Sequence, residues 1–424
     1  MKLYGFQLDA LDKVKGYDRV AFYLDMGLGK TFVGSEKLME FGNPHAVVVC
    51  QKSKIKDWVE HFKTQYPILN GEVYFGKVGF DQTFRPALAP MRIWVINYDM
   101  LIREERFQKI TSPYTLLLDE SSLIQNHTTK RWKYIKKLHF ENLILLSGTP
   151  ISGKYEKLYT QAQLLNEDFD MSLGEWWERY VIYKTLNVGY PVKVAIDYKN
   201  SWELKRRWFS KNVVWLKTEE VLELPSKRFI DIEIPITSEY KKFVKDRVIS
   251  IEGETIVADN PLVLMTHCRK LCAQYDSGKL EKFSELLDST ESRLIVFYNF
   301  TEELNRMMKV AKSHDRPISI VNGKEKYLDA YEREENSVTF VQYQAGAMGL
   351  NLQKANKIIF ASPTLSCDLY MQAQKRIHRI GQPNRCTYYR LYVKGSVEEK
   401  IYAALERGED YTQRLFEKEI EYGT

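Results

Sequence analysis

Apolar residues along this chain fall into short, nearly continuous runs separated by stretches with helical spacing. VAFYL (20–24), AVVVC (46–50), RIWVINY (92–98), YTLLLD (114–119) and NLILLS (142–147) are strand-sized and β-rich, and their alternation with helical segments is the rhythm of parallel βαβ units. After a gap the rhythm resumes with RLIVFY (293–298), PISIVN (317–322), SVTFVQY (337–343), KIIFAS (357–362) and TYYRLYV (387–393). Two α/β lobes in tandem accommodate this pattern better than one large sheet. Between them, 155 to about 290 reads as mostly helical and charged, except RFIDIEIPI (228–236), whose alternation predicts a strand entering the second lobe. The predicted organisation is a first lobe over 1–210 with a helical protrusion at 155–210, and a second over 211–424 with a helical protrusion at 240–287 and a C-terminal helix that breaks near Gly408. Trp176, Trp177, Trp202 and Trp208 are read as packing residues of the first protrusion.

Composition narrows the class. A chain of 424 residues, 44% hydrophobic and 28% charged, is a folded protein of two or three domains. No apolar run approaches the ~18 residues of a membrane span, and MKLYGFQLDALDKV lacks the pattern of a secretory signal. The five cysteines (Cys50, Cys268, Cys272, Cys367, Cys386) are scattered and imply no disulfide framework, so a reduced cytoplasm and a monomer are expected. CRKLC, with His267 beside it, has helical spacing and lacks the second ligand pair of a zinc site. The net charge of +6 permits a polyanionic partner without requiring one.

DMGLGKT (Asp25 to Thr31) lies between the strand-like VAFYL and the helical TFVGSEKLMEF, where a phosphate-binding loop belongs. Gly27, Leu28 and Gly29 bring backbone N–H groups toward phosphate oxygens at a helix N-terminus. Lys30 is placed to reach the β/γ-phosphates of ATP, and the Thr31 hydroxyl to ligate Mg2+. The strict phosphate-loop expression fails at one position, because Leu24 replaces its first glycine. At the end of another strand, LLLDE carries Asp119, a candidate Mg2+ ligand, and Glu120, a candidate base for the attacking water. Adjacent acids after a strand also suit a solvated turn or a helix N-cap; their pairing with Lys30 points to a nucleotide site beyond the carboxyl ends of the strands. QAQKRIHRIGQ (372–382) reads as helical, with Arg376 and Arg379 on one face as candidate arginine fingers. A solvated basic face is the alternative, and for His378 it is a packing or capping role.

Taken together these segments resemble helicase superfamily two, and within it the Swi/Snf-like ATPases related to chromatin remodellers. GFQLDAL resembles the Q motif, with Gln7 as the adenine reader; DMGLGKT resembles motif I; VVVCQKSKIKDWVEHF, with Trp58, motif Ia; VINYDML motif Ib; LLLDESSLIQN motif II; and LLSGTP motif III. CRKLCAQ followed by SGKL resembles the entry to the second lobe, RLIVFYNFTEEL motif IV, QAGAMGLNLQKANKIIF motif V with Gly349 at the nucleotide, and RIHRIGQ motif VI. The likeness covers nearly the whole chain in order. It implies two RecA-like lobes, each a mainly parallel sheet flanked by helices, that close on ATP and open on hydrolysis while following double-stranded DNA. Lys52, Ser53, Tyr98, Asn322, Lys324 and Gln344 are the candidate nucleic-acid contacts, each with a solvated loop as the alternative. A bare core without appended modules suggests the compact phage or bacterial type, in the cytoplasm of a bacterium or infected host.

Departures from the family pattern carry information. Motif II reads DESS, so Ser122 stands where a histidine often couples ATP to motif III, and QYQ (342–344) and Leu365 replace other common family residues. Three activities fit: a duplex translocase that remodels DNA or protein–DNA complexes, a motor that separates or reanneals strands of branched or single-stranded DNA, and an ATP-gated nucleic-acid clamp without processive movement. A recruiting protein is compatible with each.

Overall fold

The computed structural model describes residues 3–69, 72–76, 91–104, 107–108, 110, 112–148, 150, 154–187, 191–251, 254–274, 278–346, 350–412 and 415–416. It divides into two compact units, Met1–Leu222 and Glu223–Thr424.

The first unit holds strands β1 (Arg19–Leu24), β2 (His45–Cys50), β3 (Val73–Phe75), β4 (Arg92–Asn97), β5 (Tyr114–Asp119), β6 (Asn142–Ser147), β7 (Val181–Asn187), β8 (Pro191–Tyr198) and β9 (Val213–Leu216). Seven of them form one sheet in the order β3-β4-β2-β5-β6-β1-β9, every pairing parallel. The strands read as unbroken apolar runs because both faces are covered. Ala21 and Tyr23 enter one core and Val20, Phe22 and Leu24 the other, and Leu116 and Leu118 are likewise separated from Leu117. Only the last residue of β5, Asp119, leaves the interior.

The second unit adds β10 (Lys227–Ile234), β11 (Val248–Ile251), β12 (Glu254–Val257), β13 (Leu294–Tyr298), β14 (Ile318–Val321), β15 (Lys326–Tyr327), β16 (Val338–Gln342), β17 (Lys357–Phe360) and β18 (Cys386–Val393). Its sheet runs β10-β18-β17-β13-β16-β14-β15, parallel except for β14 with β15. The strand expected at 228–236 is β10, at the edge beside β18. The ion pair Lys279–Glu398, 2.7 Å and buried on both sides, ties the helix Lys279–Asp288 to Val397–Glu406; Lys279 also donates to the Ala361 carbonyl, which satisfies the buried ammonium.

Four expectations need correction. The protrusions are not purely helical: β7 and β8 form an antiparallel hairpin in the first, and β11 and β12 another in the second. Tyr180 ends its helix and Val181 starts β7, so a single apolar stretch changes period within EWWERYVIYK. The boundary falls after Leu222 rather than at 210, because Val213–Leu216 pairs with β1. The helix expected over QAQKRIHRIGQ (372–382) ends at Gln374, and Arg376 and Arg379 lie in the turn and bend beyond it. Trp176 and Trp208 are core residues, as expected, whereas Trp202 is 68% exposed. The C-terminal helix ends at Glu406 and Gly408 adopts φ +76, the expected break. No helix among the described residues is long and apolar enough to cross a membrane.

Candidate nucleotide site

In the first unit the predicted chemistry gathers at the carboxyl ends of β1, β5 and β6. β1 runs into the loop Asp25–Gly29, where Gly27 (φ 89) and Gly29 (φ 78) take left-handed backbone conformations that a side chain would strain. Gly29 caps the helix Lys30–Phe41 without a side-chain bond, so the positive end of the helix dipole faces the loop. The Lys30 ammonium folds back onto the Leu24 carbonyl at 3.0 Å and the Asp25 carbonyl at 3.4 Å. Leu24, in place of glycine, buries its side chain in the core, while its backbone carbonyl takes the lysine. Leu28 is also a core residue, so only its backbone is available to a ligand. Thr31 is half-buried in the first helical turn. A Cβ on Gly148 would stand 3.1 Å from Lys30 Nζ, so the end of β6 lies directly against the lysine.

Gln7 is buried beside the loop. Its Nε2 donates to the Leu28 carbonyl at 2.9 Å and its Oε1 accepts from Tyr4 N at 3.0 Å. A Cβ on Gly29 would meet Gln7 Nε2 at 2.3 Å, so a side chain there, besides straining φ, would displace the Gln7 amide. Asp25 ties the loop to residue 218, accepting from the Thr218 N–H at 3.1 Å and hydroxyl at 3.2 Å.

The acids stand at the end of β5. Trp58 Nε1 donates to Asp119 Oδ2 at 2.8 Å, and the Tyr98 hydroxyl donates to the Asp119 carbonyl at 2.9 Å. Glu120 adopts φ 56, ψ 55, an uncommon conformation for a non-glycine residue that the surrounding contacts must hold. The Ser122 hydroxyl lies 3.5 Å from Glu120 Oε1. Gln125 reaches across to the motif III side, its Nε2 donating to the Pro150 carbonyl at 2.6 Å. The contact of Trp58 with Asp119 has no local signature beyond a tryptophan on the helix Ile55–Gln65 that follows β2. His61 on that helix is pushed down to about 4 by burial, and its Nε2 is 2.8 Å from Ser35 Oγ.

Loop glycines at positive φ, a lysine over the loop and an oriented carboxylate one strand away fit a nucleoside triphosphate and a divalent cation. Lys30 and the loop backbone would hold the phosphates, and Thr31 and Asp119 would offer the oxygen ligands that suit magnesium.

In the second unit Arg376 is buried, with Nη1 3.4 Å from the Leu350 carbonyl. Arg379 is half-buried with its Nε–H enclosed and unbonded, and burial lowers its pKa. His378 has the packing role left open by the sequence: it is buried, and Nε2 is 2.9 Å from the Pro225 carbonyl. Gly349 lies outside the described residues.

The nucleic-acid candidates sort unevenly. Lys52, Ser53, Lys324 and Gln344 are exposed. Tyr98 is corrected: it is 3% exposed and its hydroxyl is engaged by Asp119, so it braces the acid strand instead of meeting a ligand. The Asn322 side chain closes its own turn, accepting from Lys324 N and Glu325 N at 2.8 Å each.

Comparison with known proteins supplies the affiliation. The model of the SNF2-related domain matches residues 22–277, more than half the chain, and that of the helicase conserved C-terminal domain matches 278–381. The chain belongs to the SNF2-related family. Its curated relatives include the "Putative ATP-dependent helicase/translocase YwqA" of Bacillus subtilis, 24% identical over 93% of this chain and 46% of that protein. Another is the SWI/SNF-related matrix-associated actin-dependent regulator of chromatin subfamily A-like protein 1 of Xenopus tropicalis, 25% identical over 95% of this chain and 43% of its own. The chain thus spans less than half the length of these relatives. Among solved structures, the Sulfolobus solfataricus SWI2/SNF2 ATPase core in complex with dsDNA aligns with 100% of this chain and 94% of its own at 20% identity and a TM-score of 0.47. The phage affiliation finds no support in these matches.

Proposed function

We propose that this SNF2-related protein is a DNA-dependent ATPase that converts hydrolysis into movement along double-stranded DNA and so remodels DNA or protein–DNA complexes. The observation that carries the reading is the convergence, at the carboxyl ends of one parallel sheet, of Lys30, Gly148, Asp119 and Glu120 within a chain of this family. Lys30 neutralises the β/γ-phosphates, Thr31 and Asp119 hold Mg2+, and Glu120 orients and deprotonates the attacking water. Gln7 and Gly349 serve the nucleotide, and Arg376 and Arg379 supply charge to the transferring phosphoryl group from the second lobe. Lys52, Ser53, Lys324 and Gln344 face the DNA backbone. The clamp reading drew on weakened coupling through Ser122, and the Gln125–Pro150 bond offers another route between the same segments.

The test is ATP hydrolysis without nucleic acid and with single-stranded, duplex and forked DNA and RNA, at two salt concentrations. Stimulation by plain duplex that falls steeply with salt, with displacement of a bound roadblock, supports the proposal. A preference for forks transfers it to an annealing or strand-separating motor, and turnover indifferent to every nucleic acid refutes it.

A further inference from the structure

We propose that Gln161 is a positioning residue for ATP hydrolysis, binding the turn that carries Glu120 to the end of the phosphate-loop strand and to Pro150. The inference rests on Glu120 being the hydrolytic base. Gln161 lies on the helix Tyr159–Leu165, with no exposed surface. Its Oε1 accepts from the Tyr23 hydroxyl at 2.8 Å and from the Ser121 hydroxyl at 2.9 Å, and its Nε2 donates to the Pro150 carbonyl at 3.3 Å. The orientation of the amide is determined by chemistry: a carbonyl only accepts, so Nε2 must face Pro150, and Oε1 is left to take both hydroxyl protons.

Each of the three partners is next to a functional element. Tyr23 is two residues before Asp25 at the start of the loop, Ser121 directly follows Glu120, and Pro150 is two residues past Gly148, which abuts Lys30. Ser121 and Gln161 are both wholly enclosed, and Tyr23 is 3% exposed. Burying an amide and two hydroxyls gains little over apolar groups of the same shape. What the arrangement supplies is direction: the turn after β5 has one register relative to the loop, and that register holds Glu120 at its positive φ. The interaction joins residues 138, 40 and 11 positions apart in sequence, so no local motif announces it.

Steady-state ATPase and nucleotide binding by the full chain test the role. Ser121→Ala, the mildest cut, and Gln161→Leu are expected to lower kcat by about tenfold or more, the scale on which slight misplacement of a reacting group acts, with KM for ATP within about twofold. Gln161→Leu alone leaves two enclosed hydroxyls unsatisfied and should lower the melting temperature. The triple variant Tyr23→Phe/Ser121→Ala/Gln161→Leu removes those orphans, so its melting temperature should recover while kcat stays low. Recovery of kcat together with stability overturns the positioning role, as does a kcat unchanged in Ser121→Ala. Glu120→Gln, measured alongside, separates the two failures: normal turnover in that variant overturns the site reading and this inference with it, whereas lost turnover there with normal turnover in the triple variant overturns only the inference.

Discussion

Replacing Trp58 with phenylalanine removes one N–H from the candidate magnesium site and leaves most of the surrounding packing in place. The six-membered ring still stacks on Phe62, now 5.5 Å away centroid to centroid, and the helix Ile55–Gln65 keeps Val59 and Phe62 in the core. The loss is the 2.8 Å bond to Asp119 Oδ2. A hydrogen bond to a charged group contributes about 1.5–3 kcal/mol, and ~1.4 kcal/mol is a factor of ten in rate or affinity. If half or more of that energy serves to aim the carboxylate, the magnesium concentration for half-maximal ATPase should rise by about tenfold or more, in line with the ~10–100-fold effects of removing partners that orient metal ligands. Folding should weaken by less than the about 3–5 kcal/mol of a full truncation to alanine. The assay is ATP hydrolysis titrated with MgCl2 at saturating ATP, with a urea melt of the same preparation. An unchanged magnesium midpoint and kcat, with only the melt displaced, would show that Trp58 is a core residue whose contact with Asp119 is incidental.

Other variants address the remaining assignments. Lys30→Ala should abolish turnover by removing the charge that meets the β/γ-phosphates; near-native activity would refute the site. Glu120→Gln should bind ATP and hydrolyse it at least about a hundredfold more slowly, within the range attributed to a positioned acid or base, as single-turnover measurements would reveal. Arg379→Ala should leave ATP binding to the first lobe intact and lower kcat, because its enclosed Nε–H is distant in sequence from every first-lobe motif; an equal loss of nucleotide affinity would contradict a finger role. For pH, His61 is neutral in the folded state down to about 4, against an ordinary value near 6.5. The unfolded chain therefore binds this proton first, and stability should fall as pH drops from about 6.5 to 4. Urea melts at pH 7 and 4.5 should show a smaller acid loss in His61→Gln than in the parent, and an identical loss would locate the acid sensitivity elsewhere.

Most strands of the two large sheets, their grouping into two lobes and the loop and acid motifs were legible in the sequence because each is encoded over a few residues, whereas short β3, β9 and β15 and the two hairpins were not. A strand covered on both faces must be a continuous apolar run, as in YTLLLD, and a loop with residues at positive φ needs its glycines, as at Gly27 and Gly29. The order of the motifs was enough to place Lys30 and Asp119 at the same edge of a parallel sheet. What neighbours touch those motifs was decided only by tertiary structure. β2 pairs between β4 and β5, which sets the helix after β2 over Asp119 and delivers an indole N–H from 61 residues away. The same β5 end takes up the Tyr98 hydroxyl, turning an expected ligand contact into a brace, and Asn322 folds onto its own turn. Period could not separate helix from hairpin at Tyr180–Val181 either, because the strand and the helix there share one amphipathic stretch. Strand order is set by pairings between distant segments, and no local pattern carries it; the side chains that aim and hold the site depend on that order.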